Sequence, residues 1–133
     1  TSAPGASRYF AGGVVAYSHE AKRDLLGVSK DTLEEHGAVS EASALEMARG
    51  AAERFGADIG ISTTGVAGPD EIEGEERGRV WVGLAAGNTE EARTFVAPGD
   101  RDQVRAWAEQ GALELLRRHL LGSSTKTSAP GPI

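Results

Sequence analysis

The run GGVVAYSHEAK, from Gly12 to Lys22, takes the chain out of an apolar stretch and into the start of a helix. Residues Tyr9 to Tyr17 are rich in apolar and β-forming types and predict a strand interrupted by two glycines. Ser18 is a favoured N-cap residue and predicts a helix from His19 to Leu26. Lys22 then lies near the positive end of the helix dipole, where a cation is disfavoured. The run therefore indicates either an amine that can lose its proton and act as a general base or an ordinary solvated helix lysine.

Outward from this run, the remaining sequence alternates predicted helices and strands. The predicted helices begin after Ser29, Ser40 and Asp100 and extend to Glu35, Phe55 and about Leu121; the predicted strands are Ala57 to Thr64, Arg79 to Ala86 and Glu91 to Ala97, the last two forming a hairpin around Gly87 and Asn88. An acidic stretch, Asp70 to Glu76, is typical of an exposed mobile loop. This order predicts an α/β domain, a three-layer α/β/α sandwich on a mixed, mostly parallel sheet.

Composition narrows the possible functions. The 133 residues suffice for one domain, and the net charge of -6 argues against a nucleic-acid backbone or an anionic membrane as the main partner. The absence of cysteine excludes disulfides, thiolate catalysis and zinc–thiolate sites, and favours a cytoplasmic location. The three histidines show no metal-ligand spacing, so no metal site is predicted.

Ligand-binding residues are expected where predicted strands end, because ligands of open α/β sheets collect there. The segment TGVAGP, Thr64 to Pro69, offers backbone N–H groups and the glycines Gly65 and Gly68, which suit an anion or oxyanion. A plain strand-ending turn explains the same residues equally well. Tyr17 either lines a substrate ring or ends a core strand. Arg101 either clamps a phosphate or carboxylate or lies on a solvated helix face, as does Arg105.

Five separated blocks carry a resemblance to a known family. In chain order they are YFAGGVVAYSHEAKRDLLGV (9–28), HGAVSE (36–41), TGVAGP (64–69), VWVGLA (80–85) and PGDR (98–101). Over about residues 1–120 the chain closely resembles the C-terminal domain of CinA, the competence/damage-inducible protein family. Stand-alone members of that family are nicotinamide-nucleotide amidases, and the family fold is a three-layer sandwich on a mixed sheet.

The resemblance implies an activity and roles for residues. It implies hydrolysis of the carboxamide of nicotinamide mononucleotide to nicotinate mononucleotide and ammonia by a Ser/Lys mechanism, without a metal or a cofactor. Lys22 corresponds to the catalytic lysine. Tyr17, Thr64, Gly65, Gly68 and Arg101 are then expected to contact the substrate. The expected partner is a small pyridine nucleotide, and a homodimer is the expected assembly.

Two departures from the family pattern qualify these expectations. The family's nucleophilic serine lies in an AES-x-TGG motif upstream of the position of Thr1, and this sequence contains no such motif. Residues 1–121 are therefore expected to be a CinA-like domain lacking its N-terminal strand–helix unit, followed by a disordered tail at 122–133. Ser123 and Lys126 in that tail have Ser-x-x-Lys spacing but no core around them. The second departure is GPDEIEGEERGRV, where relatives carry a Gly-rich stretch ending in Lys-Pro-Val-Gly.

Two other functions remain open from the sequence. One is a non-catalytic interaction or assembly module that keeps the CinA-like fold. The other is a nucleotide-binding domain fused to a larger enzyme, since CinA proteins often carry an N-terminal domain that resembles molybdopterin-binding proteins. The upstream serine motif is the feature that distinguishes an enzyme from an interaction module.

Overall fold

A computed structural model describes residues 1–122, so the predictions for Ser123, Lys126 and the rest of the tail lie outside the described residues. A short 3₁₀ helix, Ala6–Arg8, precedes seven larger elements. They are α1 (His19–Leu26), α2 (Lys30–Glu35), α3 (Glu41–Phe55), β1 (Ile59–Gly65), β2 (Arg79–Ala86), β3 (Thr89–Val96) and α4 (Arg101–Leu120). The four helices and the β2–β3 hairpin confirm the sequence predictions closely.

Side-chain caps explain where the helices begin. The Ser18 Oγ accepts a hydrogen bond from the Ala21 N–H at 3.0 Å at the start of α1, and the serines before α2 and α3 act in the same way. Asp100 and Gln103 form the predicted capping box at α4, each side chain accepting from the other's backbone N–H. Each cap satisfies an N–H group that the first helical turn leaves without an intrahelical partner.

The sheet is antiparallel throughout, so the predicted mixed, mostly parallel sheet is wrong for the described residues. Its strand order is β1–β2–β3, with Ile59 opposite Ala86 at one end of the β1–β2 ladder and Gly65 opposite Val80 at the other. The loop of residues 66–78 reverses the chain between β1 and β2, and a tight turn reverses it again before β3. Parallel neighbours need a crossover connection, and neither of these links is one.

The predicted strand Tyr9 to Tyr17 does not form. Residues 11–17 alternate between exposed and half-buried positions, as a strand would, and Val15 is 90% exposed. Within residues 1–122, however, none of their backbone N–H groups donates a hydrogen bond. Apolar β-formers favour a strand only where a neighbouring strand completes the ladder, and no strand of the described residues pairs with this segment.

Helices cover both faces of the sheet, which gives the predicted three layers. On one face α3 packs closely, because Gly83 has no Cβ to meet the Ala44 carbonyl and the Ser62 Oγ donates to that same oxygen at 2.6 Å. On the other face α4 packs against β2 in the main core. The core comprises Val80, Val82, Leu84, Ala97, Val104, Ala112 and Leu115. Among the described helices, none is both long and apolar enough to span a membrane.

Candidate active site

Lys22 is a buried lysine near the N-terminus of α1. Its side chain is only 8% exposed, and its Nζ donates to the carbonyl oxygens of Ala16 at 3.0 Å and Tyr17 at 3.4 Å. Side chains of a helix lean toward its N-terminus, which brings the amine back over the segment that leads into α1. Burial lowers the pKa of Lys22, while the nearby Glu73 and Tyr17 act in the opposite direction. The net effect is a pKa below that of an ordinary lysine, which is the direction that a general base requires.

Arg101 joins two other predicted site residues beside Lys22. At the first position of α4, its Nη1 donates to the Gly68 carbonyl oxygen and its Nη2 donates to the Tyr17 hydroxyl, both at 2.9 Å. The Tyr17 side chain is 81% exposed. Tyr17 therefore does not end a core strand. Lys22, Tyr17, Gly68 and Arg101 form one continuous hydrogen-bonded group, although they are far apart in sequence.

Thr64 and Gly65 lie at the end of β1, where both contact neighbouring backbone segments closely. The Thr64 hydroxyl is buried and donates to the Ala38 carbonyl oxygen at 2.7 Å, so it faces the α3 layer. A Cβ at Gly65 would lie 2.8 Å from the Arg79 carbonyl oxygen. This position therefore admits no larger residue without a shift of β2. The structure does not bring the side chain of Thr64 to Lys22 or Arg101.

The loop that follows β1 presents backbone N–H groups. The Val66 N–H donates to the Arg79 carbonyl oxygen at 2.9 Å, which anchors the start of the loop. In the part of the chain that the structure describes, the N–H groups of Ala67 and Gly68 donate no hydrogen bond. Gly68 has φ +93°, and a Cβ there would lie 2.5 Å from the Arg77 Cδ. These two adjacent N–H groups lie in the loop that the sequence singles out as a candidate oxyanion site, and that role stays a prediction.

Glu73 is a residue of the site that the sequence reasoning missed. The acidic stretch forms a small hairpin in which Ile72 and Glu75 pair, with Glu73 (φ +53°) and Gly74 (φ +79°) at its tip. The Glu73 Oε2 accepts from the Ala38 N–H at 2.7 Å, and its Oε1 lies 2.7 Å from the His19 Nε2. The sequence signal that could have predicted this hairpin is the Glu-Gly pair between Ile72 and Glu75. A type I′ hairpin turn requires positive φ at both central residues, and glycine adopts it readily.

A cleft of about 320 Å³ lies between α1 and α2 and is lined by His19, Arg23 and Lys30 among others. None of the predicted site residues lines that cleft.

These features define a class of protein: a three-layer α/β domain whose candidate site pairs a buried lysine with a glycine-containing anion loop. Comparison with known proteins gives the family. The chain belongs to the CinA C-terminal domain family, which matches residues 1–120. The resemblance deduced from the five sequence blocks is confirmed.

Individual relatives agree with this assignment. A competence-damage inducible protein of Bacillus subtilis is 50% identical over 79% of the chain, and a CinA-like protein of Frankia casuarinae is 44% identical over 92%. The chain spans only 25% and 28% of the lengths of these two relatives. A solved CinA superfamily structure from Escherichia coli has a TM-score of 0.85 at 35% identity, covering 89% of this chain and 69% of that one. A Klebsiella pneumoniae competence damage-inducible protein A gives 0.79 at 40% identity, with coverage of 84% and 70%.

Proposed function

We propose that this domain, in the intact protein, hydrolyses the carboxamide of nicotinamide mononucleotide to nicotinate mononucleotide and ammonia. The observation that carries the proposal is the buried Lys22 amine, which is held by two carbonyl oxygens and has a lowered pKa. A neutral lysine can take the proton of a serine hydroxyl, and the nucleophilic serine of this proposal lies outside the 133 residues. The cysteine-free sequence fits a reducing cytoplasmic compartment.

The proposed reaction is acyl transfer in two steps. The serine oxygen attacks the carboxamide carbon while the Lys22 amine accepts the hydroxyl proton. The tetrahedral intermediate collapses, its C–N bond breaks, and the leaving amine takes that proton from Lys22 to depart as ammonia. Water then attacks the acyl-serine ester with Lys22 again as base, which releases the carboxylate product and restores the serine.

The other site residues have roles that their contacts allow. The N–H groups of Ala67 and Gly68 would donate to the oxyanion of the tetrahedral intermediate. Arg101 uses only two of its five N–H donors on Gly68 and Tyr17, so others remain to bind a phosphate oxygen of the nucleotide. The exposed ring of Tyr17 offers a surface for the pyridine.

An ammonia assay tests the proposal. The intact protein, including its serine motif, is incubated with nicotinamide mononucleotide, and ammonia is measured against a Lys22→Met variant. Lys30→Met is the matched control, because Lys30 is an exposed lysine at the start of the neighbouring helix α2. We expect ammonia from the wild type and from the Lys30 variant only. A folded intact protein that releases no ammonia would contradict the proposal.

The second candidate is a non-catalytic interaction or assembly module. It is favoured by residues 11–17, which present backbone N–H groups and exposed side chains such as Val15 to a partner strand. A second copy of the chain is the proposed partner. Sedimentation of the full chain tests this function together with the ammonia assay: a monomer would contradict it, and a stable dimer that releases no ammonia would favour it over the amidase. A fused nucleotide-binding role is a third candidate, supported by the much greater length of the relatives.

A further inference from the structure

We propose that Glu73 is a positioning residue of the Lys22 site, whose carboxylate is anchored beside the face of α1 that carries the buried amine and acts on that amine electrostatically. The consequence for catalysis rests on the proposed amidase function. The effect of Glu73 on the Lys22 amine does not rest on that function, and it can be measured without turnover.

Two contacts fix the Glu73 carboxylate in place. One oxygen accepts from the Ala38 N–H at 2.7 Å, and the other lies 2.7 Å from the His19 Nε2 at the first position of α1. The side chain is 27% exposed, although it belongs to a strongly acidic surface stretch. A carboxylate held at both oxygens has little freedom to turn toward solvent.

The geometry of α1 brings this carboxylate to the face of the helix that carries Lys22. His19 and Lys22 are three residues apart, and residues at this spacing are neighbours on one helix face. The hairpin that contacts His19 therefore lies over the same face as the buried amine. Gly37 makes this approach possible, because a Cβ there would lie 2.5 Å from the Glu73 Oε2.

In the described residues, the charged and titratable groups around Lys22 come from several elements. Glu73 from the hairpin and the Tyr17 phenol from the preceding segment both favour its charged form. His19 contacts Glu73, and Arg101 at the start of α4 donates to the Tyr17 hydroxyl. Two charged residues of α3 make their contacts elsewhere. Glu46 accepts from the Ser29 N–H, and Arg54 donates to the Leu25 carbonyl oxygen. Glu73 is therefore the carboxylate that opposes the effect of burial on this amine.

The position of Glu73 is a feature of this chain's own loop sequence. It lies in the stretch GPDEIEGEERGRV, which departs from the Gly-rich pattern expected there from the family resemblance. A negative charge at this position keeps Lys22 protonated to a higher pH than burial alone would. Activity that depends on the neutral amine should then rise at a correspondingly higher pH.

The test is a titration of Lys22 in the full chain, followed by the NMR signals of its ε-methylene group. The sequence contains only three lysines, so Lys30→Arg and Lys126→Arg variants assign the signals. In Glu73→Gln, we expect the Lys22 midpoint to move to lower pH than in the wild type. Glu71→Gln is the matched control, because it removes the same charge from an exposed position on the same hairpin. The Lys22 midpoint in Glu71→Gln should equal that of the wild type.

Glu73→Asp provides the conservative variant, since aspartate keeps the charge and tolerates positive φ. Its midpoint should fall between those of Glu73→Gln and the wild type. An unchanged midpoint in Glu73→Gln, or an equal shift in Glu73→Asp and Glu73→Gln, would overturn the proposal. In the active intact protein, Glu73→Gln should also move the acid side of the pH–activity profile to lower pH. An intact protein without amidase activity would refute the proposed function and leave the titration result standing.

Discussion

Strand β2 and residues 11–17 have similar apolar sequences and opposite structural outcomes. In β2 every residue from Val80 to Ala86 pairs with a strand on each side, and Val82 and Leu84 are fully buried. In residues 11–17 the backbone N–H groups have no partner in the described structure, and Val15 is 90% exposed. Two carbonyl oxygens of this unpaired segment hold the Lys22 amine instead. The hydrogen-bond ladders of β2 therefore stabilise the fold, whereas the candidate catalytic amine lies beside a segment that has no ladder.

The largest effect should come from removing the Lys22 amine, which lies beside the unpaired residues 11–17. Lys22→Met in the intact protein should lower the rate of ammonia release by about 10²- to 10⁴-fold, the usual contribution of a general base. The free energy of unfolding should not fall, because methionine replaces a buried charged group with an apolar one of similar length. Rates and urea unfolding curves measured on the same preparations check both points. Equal turnover in the variant would remove Lys22 from the proposed mechanism.

The next largest effect should come from a core substitution in the paired strand β2. Leu84→Ala should lower the free energy of unfolding by about 3 kcal/mol, because it leaves a cavity in the β2–α4 core. Val15→Ala should change it by less than about 0.5 kcal/mol, since that side chain is exposed. Urea denaturation of both variants measures the contrast. Similar losses at the two positions would show that residues 11–17 are packed as firmly as β2.

A smaller effect is expected where the two regions meet at Arg101. Tyr17→Phe removes the hydroxyl that accepts from the Arg101 Nη2 and should raise the KM for the nucleotide about fivefold, roughly 1 kcal/mol. The value of kcat should change little, because the contact positions a binding group. Steady-state kinetics separate the two parameters. A fall in kcat with an unchanged KM would contradict a binding role for this pair.

The smallest effect is expected on the exposed surface of α4, away from both regions. Hydrogen bonds from Arg117 and Arg118 lower the pKa of Glu114 to about 2. A carboxyl group with a depressed folded-state pKa stabilises the fold above its unfolded pKa, and this stabilisation is lost as the pH falls toward 2. The difference in Tm between wild type and Glu114→Gln should therefore be small at pH 7 and vanish near pH 2. A difference that grows on acidification would reverse the assigned sign.

The sequence was sufficient for elements whose signals are local. Ser18, Ser40 and Asp100 marked helix starts correctly because capping depends on residues three positions apart. The strand at Tyr9 to Tyr17 failed because a ladder depends on a distant neighbour that no local pattern reveals. The same limit applies to the mixed, mostly parallel sheet, whose prediction followed from the alternation of helices with strands along the chain.

The candidate site was predictable in part for the same reason. The five sequence blocks singled out Lys22, Tyr17, Gly68 and Arg101, which the structure joins by hydrogen bonds. The inward direction of the Thr64 hydroxyl depends on how α3 packs on β1, and local sequence does not encode this packing. Glu73 was missed because its partners, His19 and Ala38, are more than 30 residues away in the chain.

The most direct test of the central claim is the titration of Lys22 in the unmodified chain. The claim is that burial beneath the unpaired segment leaves this amine with a pKa below that of an ordinary lysine side chain. NMR signals of the Lys22 ε-methylene group, followed from neutral to alkaline pH, report the midpoint without any assumption about the reaction. We predict a midpoint below the ordinary lysine value. A midpoint at or above that value would contradict the account.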